Sequence, residues 1–209
     1  MLSFWILPNG LAALAFLAGA LHVLAPDHWV PSSLLAWRRS WTLRRRSRFA
    51  AGVLIAHVLG GVLLFALSRA VLTAAGAGPD RIFSVLVALV AAMGGLRILR
   101  FSRLGPLQGS SPESGLWNFV EVVAMIGPAE TLVPLLWRAQ TTGFSLVAVS
   151  VVYGVATLLS GLVCVLGGPI VWNRPDWLPR GIAWAGSRRV AFPIVAGVSL
   201  SVAYWLRTG

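Results

Sequence analysis

The sequence is short of charge, and most of all of acid. Only 11% of its 209 residues are charged, with six acids against 17 basic residues, and there is no lysine, so every basic residue is arginine. A soluble domain carries about twice that charge fraction. One cysteine, Cys164, excludes an internal disulfide and a membrane dithiol relay, each of which needs a pair. The first residues, Met1-Leu2-Ser3-Phe4-Trp5, lack the basic region of a cleavable signal peptide. What the chain has instead is apolar length: 57% of its residues are hydrophobic and its mean hydropathy is +0.82. Several runs exceed the roughly 18–20 residues needed to cross a hydrocarbon core of ~30 Å. The expected class is therefore an all-α, polytopic membrane protein in a bacterial-type inner membrane.

Six spans are predicted in a single domain, 1–209. They run Gly10–Trp37, Phe49–Leu72, Ile82–Leu99, Leu116–Trp137, Phe144–Gly168 and Val190–Leu206. Pro8-Asn9-Gly10 supplies the break and start signal for the first, which puts His22–His28 near the bilayer midplane. A start at Leu2 would shift that motif towards the cytoplasmic end. With both termini outside, thirteen of the seventeen arginines fall in cytoplasmic loops, which is the positive-inside distribution. The same placement accounts for the net charge of +11 through anionic lipid, without a nucleic-acid partner. A homo-oligomer is compatible with the sequence.

Six spans divide three and three, with halves at about 10–101 and 116–207. An odd number per half inverts the second half. The first and fourth spans then correspond, and both are broken by proline. Ala25-Pro26-Asp27-His28-x-x-Pro31 stands against Gly127-Pro128-Ala129-Glu130-x-x-x-Pro134. Paired interrupted helices in inverted halves are the sequence pointer to a transport site near the midplane.

All three histidines, His22, His28 and His57, fall inside predicted spans. An ionisable group in hydrocarbon costs several kcal/mol unless it is paired or hydrated. His22, Asp27 and His28 place three such groups within seven residues, too many for packing to explain. His57 lies beside the small-residue stripe Gly52, Ala56 and Gly60, which should face a neighbouring helix. Alone it reads equally well as a hydrogen-bonded packing residue. Glu130 adds a second carboxylate from the fourth span, whereas Glu121 reads as an interfacial acid. Imidazoles suit nickel, cobalt, zinc and copper, and carboxylates add charge for a divalent ion. Candidate metal ligands are thus His22, Asp27, His28, His57 and Glu130. Tyr153, Thr157 and Ser160 read as interhelical hydrogen-bonding groups, and Cys164 as small packing.

His22-x-x-x-x-Asp27-His28 resembles the His-x4-Asp-His signature of the nickel/cobalt transporter families, NiCoT and its NicO relatives. His57 in Ile55-Ala56-His57-Val58 looks like their second histidine motif. Glu130 in Gly127-Pro128-Ala129-Glu130-Thr131 is similar to a later glutamate motif, shared with members of the LysE-like superfamily of three-plus-three helices. The resemblance implies a permease or exporter that binds and moves a divalent metal as substrate, with no tightly bound cofactor. The alternative is an exporter of a small anion or amino-acid-like solute, as in sulfite-exporter and LysE relatives. No His-Glu-x-x-His pattern supports a zinc hydrolase, so no enzyme activity is expected.

Overall fold

Proline and glycine punctuate two otherwise continuous apolar helices, and those interruptions set the architecture. In the computed structural model, which describes residues 3–24, 26–76 and 115–171 together with 78, 81, 82, 84, 85 and 88, every regular element is helical. The elements are α1 (Ser3–Val23), α2 (Pro26–Arg38), α3 (Leu43–Ala74), α4 (Gly115–Ile126), α5 (Leu132–Thr141) and α6 (Leu146–Val171). The order helix, break, helix, long helix therefore occurs twice.

The first break falls between Val23 and Pro26. Pro26 occupies the first position of α2, where its missing N–H would have no helical partner. Pro31 stays inside α2 without ending it. The Leu24 carbonyl, left at the end of α1, accepts from the Trp29 indole Nε1 at 3.3 Å. The second break spans 127–131. Gly127, at φ +71°, takes the left-handed conformation that closes α4, and Pro128 after it cannot continue the helix. Leu132 and Val133 then start α5 by donating to the Ala129 and Glu130 carbonyls.

Among the described residues, two helices are long and apolar enough to cross a membrane, Leu43–Ala74 and Leu146–Gly167. At 1.5 Å per residue the 32 residues of α3 cover ~48 Å, more than the ~30 Å of a hydrocarbon core. Along α3 the exposed side chains include Ile55, Leu59, Leu63, Leu67 and Val71; along α6 they include Val147, Val151, Val155, Leu159 and Val163. Each set recurs every four residues and so forms one apolar stripe. The buried set contains His28, Ser32, Ser33, His57, Glu130 and Thr157. Large apolar stripes left exposed along two long helices are rare in soluble domains and suit faces that meet lipid.

α1 lies along α6, and α3 along α5 and α6. Leu11, Ala15, Phe65, Leu132, Leu136, Val149 and Tyr153 meet in the larger core. Leu35, Trp41, Val53, Val122 and Ile126 form a second core beneath α2 and α4. Gly19 lets α1 approach α6 closely: an added Cβ would lie 2.6 Å from the Tyr153 carbonyl oxygen. Thr157 Oγ1 donates to the Gly19 carbonyl there, the interhelical role expected of it.

Two boundaries differ from expectation. α1 begins at Ser3 and runs through Pro8 instead of starting near Gly10. Pro8 is the sixth residue of α1, so the helix continues through it without the backbone bond to the Phe4 carbonyl. The basic residues Arg44, Arg45, Arg46 and Arg48 lie in the first turns of α3, not in a loop. Thr42 caps that helix, and Arg46 Nε and the Arg45 guanidinium hold Trp41 through its carbonyl and ring face. The third span beyond Ala88, the sixth span, and the tryptophan-rich segment beyond Val171 lie outside the described residues.

Candidate metal centre

The break in the first apolar run decides where two of the histidines stand. His22 is in the last turn of α1, and His28 is the third residue of α2, so the two flank the interruption. His57 comes from the middle of α3. Its small neighbours Gly60 and Gly61 let the second break lie directly on that helix. A Cβ at Gly60 would meet Pro128 Cβ at 3.2 Å, and one at Gly61 would sit 2.5 Å from the Ala129 carbonyl oxygen.

The three imidazoles converge. Ring centroids are 4.2 Å apart for His22 and His28, 5.0 Å for His28 and His57, and 5.4 Å for His22 and His57. One nitrogen from each ring can be chosen so that all three lie within 4.8 Å of one another. His28 and His57 are 2% and 1% exposed, and His22 is half-buried. Placed at ~2.1 Å from three nitrogens, a cation needs them about 3–3.5 Å apart, an inward movement of ~1 Å or less. Side-chain rotation within helix ends that are already interrupted can supply this.

His57 is held from two sides by the second break. Its Nδ1 donates to the Gly127 carbonyl at 2.7 Å, and its own carbonyl accepts from the Ala129 N–H at 2.9 Å. Behind the cluster, Tyr153 is fully buried, with its ring centroid 6.5 Å from that of His22. The Tyr153 hydroxyl shares a 2.6 Å hydrogen bond with Thr131 Oγ1. α6 is thereby tied to the same break.

Of the five ligands expected from sequence, the structure brings His22, His28 and His57 into one group. Glu130 is buried, 7% exposed, in the second break, next to Ala129, but it is not one of that trio. Asp27 follows Pro26 in the first turn of α2; its side chain, like that of Glu121, lies outside the described residues. The supporting contacts of Gly127 and Ala129 have no signature in the sequence beyond the small-residue stripe on α3, because both act through backbone atoms. A cavity of about 580 Å³ lies elsewhere, among α3, α5 and α6, lined by Val62, Phe65, Arg69, Leu136 and Ser150. Its lining contains none of the histidines and one charged side chain, Arg69.

No family model, curated protein or solved structure matches this chain.

Proposed function

We propose that the protein is a multi-pass membrane transporter for a divalent transition-metal cation such as nickel or cobalt, which His22, His28 and His57 bind during passage. One observation carries this reading: imidazoles from three separate helices gather within 4.8 Å inside a body whose outward faces are leucine and valine. Packing does not call for three imidazoles together, two of them buried, since each polar group brought into an apolar interior costs free energy unless compensated. Neutral imidazole is a ligand for borderline divalent metals and a poor one for magnesium or calcium. Asp27 and Glu130, one beside each break, are the carboxylates available to offset the cation's charge or to relay protons. Protonation and metal binding compete for the same nitrogens, so acid favours release.

The recurrence of helix, break, helix and long helix supports a six-span, three-plus-three inverted arrangement. The arginine distribution supports both termini lying outside a bacterial-type inner membrane. The His-x4-Asp-His motif supports a place among the nickel/cobalt transporters.

The test is flux. In proteoliposomes holding the full chain and a metal-sensitive dye, Ni²⁺ or Co²⁺ should equilibrate far faster than in empty vesicles. The His28→Ala variant should fall to the vesicle background. Equal flux through the variant and the unaltered chain would reject the reading, as would no flux of any divalent transition metal through the unaltered chain.

A further inference from the structure

The contact between His57 and the second break joins a metal ligand to a segment that carries no ligand of the cluster. We propose that residues 127–131 position His57 for the cation: the Gly127 carbonyl keeps the proton on Nδ1 and so presents Nε2 to the metal. Metal affinity and the conformation of this break are then coupled. The proposal rests on the metal reading of the histidine cluster and adds to it the way in which the other half of the molecule takes part.

Three observations carry it. A carbonyl oxygen can only accept, so the 2.7 Å contact from Nδ1 requires the proton to reside there, and in the neutral ring the lone pair is on Nε2. Metal-bound histidines commonly donate their second ring N–H to a carbonyl or carboxylate, which fixes the ring and makes the ligand more basic. The Gly127 carbonyl is available because α4 ends at Ile126 and Gly127 turns left-handed at φ +71°. The second tie, from the Ala129 N–H to the His57 carbonyl, and the close seat of Ala129 on Gly61 fix the break to the same turn of α3. Any rearrangement of 127–131 therefore shifts the His57 ring relative to His22 and His28, which belong to the other break. By linkage, metal binding must act back on the break to the same degree.

Co²⁺ is the probe, because its visible absorption reports both occupancy and ligand geometry. The full chain in detergent is titrated with Co²⁺ alongside Gly127→Ala, which strains the left-handed turn and redirects its carbonyl, and His57→Asn. The asparagine amide reproduces the donor to Gly127 but lacks Nε2. Gly127→Ala should bind Co²⁺ about 10–100-fold more weakly and with altered bands. His57→Asn should lose a nitrogen ligand while the metal-free break exchanges its amide hydrogens as in the unaltered chain. In the unaltered chain, Co²⁺ should slow exchange at Ala129, Glu130 and Thr131, and this decides the matter even where Gly127→Ala does not fold. Tight Co²⁺ binding with no change in exchange at 129–131 overturns the coupling and leaves the metal reading standing. Failure of the unaltered chain to bind Co²⁺ removes the metal reading itself, and the coupling with it.

Discussion

The two helix breaks meet the same backbone requirement with different residues. Between Val23 and Pro26 the chain resumes with proline at the head of α2, and an indole donates to the Leu24 carbonyl just past α1. The flanking side chains are His22 and His28, so this break carries two of the three clustered imidazoles. At 127–131 a left-handed glycine followed by proline ends α4, and the exposed backbone is satisfied on α3, through the ring and the carbonyl of His57. This second break supplies no histidine. It contributes position, together with one buried carboxylate, Glu130. The first break thus carries two of the clustered imidazoles, and the second holds the third, His57 on α3, through backbone atoms.

The sharpest way to break that contrast is to remove a ligand from the first break. His28→Ala should weaken Co²⁺ binding by on the order of a hundredfold or more, beyond the 10–100-fold that loss of a supporting hydrogen bond costs. Isothermal titration reads this directly, and equal affinity would mean that the first break does not supply the ligands.

Crowding the second break tests support without touching a ligand. Gly61→Ala puts a methyl group 2.5 Å from the Ala129 carbonyl oxygen, against backbone that must move. It should destabilise the protein by about 1–3 kcal/mol and also lower Co²⁺ affinity. Gly161→Ala makes its nearest contact, also 2.5 Å, with Leu54 Cδ1, the end of a flexible side chain. It should cost less stability than Gly61→Ala. Thermal unfolding of both variants should therefore rank Gly61→Ala as the more damaging, and the reverse order would show that the second break is free to shift.

The smallest effect concerns the tie from α6 to the break. Tyr153→Phe removes the hydroxyl that shares a hydrogen bond with Thr131 and should cost about 1 kcal/mol. A loss near zero would mean that Thr131 is held equally well by other groups.

Both interruptions were legible in the sequence because proline and left-handed glycine have few backbone options. Pro26, Gly127 and Pro128 mark those interruptions to the residue. Ends were less legible. Arg44, Arg45, Arg46 and Arg48 look like a loop by polarity, yet arginine is a good helix former and Thr42 offers a cap, so α3 starts among them. Pro8 reads as a stop, but α1 passes through it at the cost of one backbone bond.

For the site, His22 and His28 could be placed together by their spacing alone. That His57 joins them depends on how α3 packs, which the stripe Gly52, Ala56 and Gly60 only suggested. Its ring is fixed by a backbone carbonyl seventy residues away, a contact that no residue identity encodes.

X-ray absorption of the Ni²⁺-loaded full chain tests the central claim most directly, because imidazole scattering counts the histidines around the metal. Three imidazoles on one Ni²⁺, falling to two in His57→Ala, is the result expected here. A shell of oxygen atoms alone, unchanged by that substitution, would contradict the account.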